Sequence, residues 1–432
     1  MLCKNLSMTP DGRLLFAGRD LGELREKYGS ALYVMDEERI REMCRLYHRA
    51  MSKAFGENYS VLYASKACSF REMYRIMKDE KMGIDVVSPG EIYTAQSAGY
   101  DLCNAHFHGN NKTDEDIFFA IRSGIGYFVI DNREEVEAVD RIAGEIGVKQ
   151  KILLRITPGI DPHTYEAVAT GKVDSKFGSA IETGQAMEIT KFALACENIE
   201  LQGFHCHVGS QVFDADTFIR SAEIMLGFLK DVREETSFVA KELDLGGGWG
   251  VPYTEKDPSL DLEACLIQVG ETVNRVSEEL GIPVPRILME PGRSIVADAG
   301  LTLYTVGTVK KIPGYKNYVS VNGGMSDNPR FALYGSEYTV CLPEKMNEKA
   351  DFSCSVVGRC CESGDIIQEN VLLPNSVARG DLLAVLTTGA YNYSMASNYN
   401  RIQRLPVVML NGGTDRLAVR GESLEDLIRC DL

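Results

Sequence analysis

The sequence predicts a (βα)8 barrel joined to a mostly antiparallel β domain. Three observations carry this. Eight short β-type runs alternate with segments of helical spacing between residues 60 and 293. The runs are near-continuous in apolar residues, as parallel strands covered on both faces are. After residue 298 the helical spacing stops, and strand-like runs broken by Gly, Pro and Asn take over.

In chain order the barrel runs are SVLYASK (60–66), GIDVVS (83–88), NAHFHGNN (104–111), YFVIDN (127–132), KILLRITP (151–158), LQGFHCHVGS (201–210), ELDLGGG (242–248) and RILMEPGR (286–293). Between them FREMYRIMKDEKM, GEIYTAQSAG, DEDIFFAIRSG, REEVEAVDRIAGEI, AMEITKFALACEN, TFIRSAEIMLGFLKDVREE and LEACLIQVGETVNRVSEEL show helical spacing. Acidic residues, Ser or Thr open several of these and Gly closes several, the usual punctuation of helices. An open doubly wound sheet is the alternative, but eight alternations over about 235 residues favour closure. The β domain draws on LTLYTVGTVKKI, NYVSVNGG, EYTVCLP, DFSCSVVGRC, DLLAVLTT and PVVMLNGGTDRLAVR, with SALYVMD (30–36) assigned to it. The expected domains are therefore 37–298, the barrel, and 1–36 with 299–432, the β domain.

Composition narrows the class. Hydrophobic content of 44% and charged content of 25% are those of a globular chain. A net charge of −16 without any basic run argues against nucleic acid as a partner. The N-terminus has no apolar leader core and no 18-residue apolar stretch occurs, so no membrane association and a cytoplasmic location are expected. The 12 Cys include no CxxC pair, so reduced thiols are expected and a structural metal is not.

Chemistry in such a barrel sits at the C-terminal ends of the strands. Those ends carry Lys66, Ser88, His108 with Asn110, Asp131, Arg155, His207 with Ser210, Gly246–Gly248, and Glu290 with Arg293. A lysine closing an apolar strand ordinarily snorkels to water. So many polar groups on one rim favour the other reading, an amine set to attack a carbonyl.

LDLGGGWG offers backbone N–H groups to a phosphate. Val251 breaks a G-x-G-x-x-G fingerprint, and Gly171-Lys172 runs into Val173, so no P-loop is present. FHCHVGS puts His205 and His207 on one side of a strand and Cys206 on the other. The two histidines suit a metal that finds further ligands elsewhere, or the face of a flat ring. Glu290, at the sharp exit EPGR, suits a general base, a metal ligand or the partner of a protonated ring nitrogen. Lysine, glycine cradle and carboxylate together suit one cofactor, pyridoxal 5'-phosphate.

Taken in order, YASKAC, GIDVVSPGE, HGNNK, TGKVDSKFG, GFHCHVGSQ, LDLGGGWG, EPGRS, NGGMSDNPRFALY, CESGD and GAYNYSMASNYN resemble the diaminopimelate decarboxylase family. That family is similar in architecture to ornithine and arginine decarboxylases and, more distantly, to alanine racemase. The resemblance spans about residues 30–410. It implies decarboxylation of meso-2,6-diaminopimelate to L-lysine and carbon dioxide, in a homodimer with shared active sites. It also implies roles. Lys66 bonds the cofactor aldehyde and His207 stacks on its ring, with His205 left open. Ser210, Gly247, Gly248 and Tyr391 bind the phosphate, and Glu290 partners the ring nitrogen. Arg293, Arg330 and Tyr334 hold the substrate's distal carboxylate, and Glu362 its distal ammonium. Cys361 crosses the dimer interface as proton donor.

Three positions depart from the family pattern: Cys68, Asn322 and Phe331. They leave room for a decarboxylase of another basic amino acid, such as D-ornithine, D-lysine, ornithine or arginine. A racemase and a non-catalytic cofactor-binding protein are the remoter alternatives. The Gly-rich segment 159–180, with Lys176, is read as a lid.

Overall fold

The computed structural model describes residues 2–160 and 175–432. Most of the expected lid, and Thr170 to Asp174 of TGKVDSKFG, lie outside the described residues. The chain divides into two compact units. One comprises Met43–Gly250 and Ser259–Ser294, the other Met1–Glu42, Val251–Pro258 and Ile295–Leu432.

The first unit is a closed parallel barrel. Its strands are Tyr59–Ala64, Gly83–Val86, Ala105–Phe107, Tyr127–Ile130, Gln150–Thr157, Ile199–His205, Glu242–Asp244 and Arg286–Met289. Each pairs in parallel with the next, and Arg286–Met289 returns to Tyr59–Ala64, which closes the ring. The apolar runs fill it: Val61, Leu62, Tyr63, Ile84, Val86 and Phe128 are all buried. The strands stop short of the rim residues because special backbone intervenes. Ala105–Phe107 ends before His108, with Gly109 at φ +124°.

The helices begin and end where capping chemistry places them. Asn132 accepts Glu135 N–H ahead of Arg133–Ile146, and Gly147 closes that helix in the left-handed conformation. Asp261 and Gly281 do the same for Leu262–Leu280. The nineteen-residue helix Glu37–Phe55 was not expected from the sequence reading.

The second unit is built on a nine-stranded sheet around the long strand Gly300–Lys311. Leu32–Asp36 pairs antiparallel with that strand. Two pairings in the sheet are parallel, Asn317–Val321 with Ala350–Val357 and Leu32–Asp36 with Val407–Asn411. The strand Ile366–Pro374 went unpredicted; Gln368, Glu369 and Asn370 interrupt its apolar pattern, and Asn370 sits at φ +55°. A small sheet of Leu6–Met8, Leu14–Phe16 and Arg19–Asp20 covers Leu32, Val34, Leu301, Leu303 and Leu410 with Leu6, Leu14 and Phe16. Val251–Pro258, expected within the barrel domain, belongs to this unit: Tyr253 meets the Tyr338 ring edge-on at 5.2 Å, and its carbonyl accepts the Thr339 hydroxyl. All twelve cysteines are free thiols. Among the described residues no helix is long and apolar enough to cross a membrane.

Candidate active site

Lys66 lies in a single 3-10 turn, Ser65–Ala67, directly after the first barrel strand. Its side chain is 44% exposed and its Nζ stands 2.5 Å from Oδ2 of Asp85, which is fully buried on the second strand. The lysine that closes this apolar strand is thus an ion-paired amine facing the rim. Asp85 was not among the expected site residues; its place in the strand GIDV marked it only as a buried acid.

The buried end of the rim is organised by Glu290. Its Oε2 accepts a hydrogen bond from His205 Nε2 at 3.0 Å, and His108 Nε2 lies 2.7 Å from Oε1. The buried Asp244 carboxyl, pushed well above its usual range by burial and by the Glu290 charge, hydrogen-bonds to the same group. The two imidazoles meet edge-on at 4.9 Å. Burial pushes the Glu290 carboxyl up, but His108 and His205 outweigh it and hold the group well below the usual carboxylate range. Burial takes His205 down to about 4, so at neutral pH it is a neutral ring donating its N–H. These three are also a group whose ligand atoms, within 4.8 Å of one another, match metal spacing. Their contacts are those of histidines orienting a carboxylate. His205, left open by the sequence, is thereby a Glu290 partner, while Cys206 faces the other way onto Ser221.

The glycine run follows the seventh strand, and each glycine is required by a different neighbour. A Cβ on Gly246 would stand 2.6 Å from the Cys206 carbonyl oxygen, one on Gly247 2.0 Å from that of Glu290, and one on Gly248 2.1 Å from that of Gly209. Close packing of three rim loops therefore accounts for all three. What it leaves over is chemical: among the described residues no acceptor meets the N–H groups of Gly247 and Gly248. His207 borders the same run, its Nδ1 2.9 Å from the Gly246 Cβ position. Burial, with Arg155 and Lys66 nearby, drives its pKa well below the ordinary histidine value, so the ring is neutral. Ser210 accepts from Arg293 Nη2 at 3.1 Å, joining two residues expected to serve different groups of the ligands.

These residues fit pyridoxal phosphate on their own terms. They supply a primary amine on the rim, an ionised carboxylate, and two free N–H groups in a glycine cradle.

The second unit gathers the remaining candidates. Arg330 opens the short helix Arg330–Tyr334, and its guanidinium lies 5.1 Å from the Tyr334 ring and 5.2 Å from the Tyr391 ring. It is 7% exposed, and its Nε is buried without a partner. Cys361 and Glu362 lie exposed on the loop after Ala350–Val357. Hydrogen bonds from Gly364 N–H and the Ser363 hydroxyl hold the Glu362 carboxyl below its usual range. The three departures from the family pattern are structural: Cys68 is buried with its carbonyl on the Tyr63 hydroxyl, Asn322 accepts Thr305 N–H, and Phe331 follows Arg330 within its helix.

A barrel with this rim defines a pyridoxal-dependent decarboxylase, and the family model for the pyridoxal-dependent decarboxylase, pyridoxal binding domain, matches residues 38–297. The chain is 44% identical over 418 residues to the diaminopimelate decarboxylase of Staphylococcus aureus (strain COL), covering 97% of each. Against that of Bacillus subtilis (strain 168) it is 44% identical over 421 residues, 98% of this chain and 95% of the other. The crystal structure of diaminopimelate decarboxylase from M. jannaschii in complex with L-lysine superposes with a TM-score of 0.91 at 32% identity, covering 100% of this chain and 99% of that one. The chain belongs to the diaminopimelate decarboxylase family.

Proposed function

We infer that this chain removes carbon dioxide from meso-2,6-diaminopimelate at its D-configured centre and leaves L-lysine. The observation that carries the substrate is Arg330, a buried guanidinium with an unpartnered Nε in a unit that also presents the Glu362 carboxylate. A cation and an anion are what a distal amino-acid end requires. Pyridoxal phosphate, when bound, supplies an electron-withdrawing ring that accepts the electron pair left as carbon dioxide departs.

The chain's residues then have separate tasks. Lys66 presents its amine to the cofactor's aldehyde. Glu290, kept ionised by two histidines, would partner the ring nitrogen and keep it protonated. His207 would stack on the ring. Gly247 and Gly248 N–H, Ser210 and Tyr391 bind the phosphate. Arg293, Arg330 and Tyr334 hold the distal carboxylate, Glu362 the ammonium. Cys361 gives its thiol proton to the carbon that has lost its carboxylate. The substrate test is carbon dioxide release on a panel of diaminopimelate, D-lysine, D-ornithine, ornithine and arginine. Turnover on diaminopimelate is expected, with Arg330→Ala losing about 2–4 kcal/mol of it. Release from D-lysine or D-ornithine but not from diaminopimelate overturns the reading.

The protein is further proposed to be a cytoplasmic homodimer in which Cys361 and Glu362 serve the partner's barrel. The free cysteines accord with a reducing compartment, which cell fractionation checks. Mixing inactive Lys66→Ala and Cys361→Ala proteins is expected to restore partial activity. Subunit exchange without any recovery would count against a shared site.

A further inference from the structure

The segment that carries Cys361 is gripped on two sides. Consecutive backbone N–H groups each donate to a side-chain oxygen, Cys360 to Asp365 Oδ2 at 2.6 Å and Cys361 to Asn400 Oδ1 at 2.7 Å. Asp365 is 4% exposed, and its Oδ1 accepts Met325 N–H at 2.6 Å. One carboxylate therefore ties the Cys361 loop to the turn that leads into Arg330. Its surroundings leave no slack. A Cβ on Gly358 would stand 2.3 Å from Asp365 Oδ2, and one on Gly324 2.7 Å from either carboxylate oxygen. Arg359 N–H donates to the Gly323 carbonyl at 2.9 Å across the same junction. On the outer side, Tyr399 reaches Glu362 Oε2 at 3.5 Å. Asn400 adopts φ +54°, a conformation Asn tolerates better than most residues.

We propose that Asp365 and Asn400 are positioning residues, which set the direction of the Cys361 thiol by fixing the two peptide units flanking Cys360. The inference rests on the reading of Cys361 as proton donor. Cys361 and Glu362 lie outside any helix or strand, so ladder hydrogen bonds do not hold their backbone. Two side-chain acceptors take over that task. Their requirements differ. Asn400 needs only one acceptor oxygen. Asp365 needs two, since an amide there would turn an NH2 toward one of two N–H donors.

The experiment compares Asn400→Ala, Asn400→Asp, Asp365→Asn and Cys361→Ala in the cofactor-loaded full chain. It reads kcat, KM and amide hydrogen exchange at residues 360 and 361. Asn400→Ala is expected to lower kcat about tenfold and to speed exchange, leaving KM within about twofold. Asn400→Asp, which keeps an acceptor, stays within about twofold of the parent protein on every readout. Asp365→Asn loses about a hundredfold in kcat, as a misplacement near 1 Å does. Should it fail to fold, the Asn400 pair still decides. Equal impairment of Asn400→Ala and Asn400→Asp, or parental kcat in Asn400→Ala, overturns the inference. If Cys361→Ala loses turnover while Asn400→Ala does not, the positioning role alone has failed. If Cys361→Ala keeps full turnover, the proton-donor reading has failed and the inference goes with it.

Discussion

Lys66→Arg is expected to leave the protein folded while cutting carbon dioxide release by at least about a thousandfold. The substitution separates two things the lysine does. Its charge pairs with Asp85 Oδ2 at 2.5 Å, and a guanidinium can keep that pairing. In the proposed function its amine bonds the cofactor aldehyde, and a guanidinium, charged at any working pH, cannot. Lys66→Ala removes both. Asp85 is fully buried, with Oδ1 already lacking a hydrogen-bond partner, so losing Lys66 leaves an uncompensated carboxylate. Because the lysine side chain is 44% exposed and water screens the pair, the stability lost is about 1 kcal/mol, short of the value for a fully buried pair. Thermal denaturation should therefore rank Lys66→Ala below Lys66→Arg, while both lose turnover and the bound cofactor's visible absorbance. Turnover in Lys66→Arg within tenfold of the parent would remove the lysine from the chemistry.

The barrel was legible because its signals are local and repeated. Helices 133–146 and 262–280 have the residues at which their capping chemistry places them, and each apolar run became a strand. Helix Glu37–Phe55 had an equally clear signal: Ile40, Met43, Cys44, Tyr47, Ala50 and Met51 recur with helical period on one face and are all buried. It went unread because it precedes the first strand of the alternation and has no partner in the repeat. The strand Ile366–Pro374 was hidden by polar residues at its bulge, where pairing to Ala350–Val357 supplies what propensity does not.

At the site, residue types could be read and partnerships could not. Strand-end position picked out Lys66 and Glu290 but not what each touches. Asp85, His108 and Asn400 act through contacts 19, 182 and 39 residues away along the chain. Only folding reveals such pairs. The glycine run shows the converse. It was read as a phosphate cradle, yet its neighbours' carbonyls alone exclude a Cβ at all three positions.

Glu290→Gln is expected to lower kcat at least about a hundredfold, roughly 3 kcal/mol, more than a single hydrogen bond is worth. Burial alone would neutralise this carboxyl; the histidines keep it charged. An amide cannot reproduce that state, because it carries no negative charge and puts an NH2 where one of the two carboxylate oxygens stood. In the proposed function the ring nitrogen then loses the negative charge that would keep it protonated.

Stability against pH gives an independent reading. A carboxyl whose folded pKa lies below the ordinary 4.5 adds stability that is present above 4.5 and is lost as the pH falls through the folded value. His205, lowered to about 4 from 6.5, acts in the neighbouring window: its unfolded form takes up the proton first, so stability falls between pH 6.5 and about 4. Below 4.5 the parent protein should continue to lose stability that Glu290→Gln never had, so their melting temperatures should converge there. A variant with parental kcat at neutral pH, or a gap that widens with acid, would mean that Glu290 is a structural acid and that the ring nitrogen is served elsewhere.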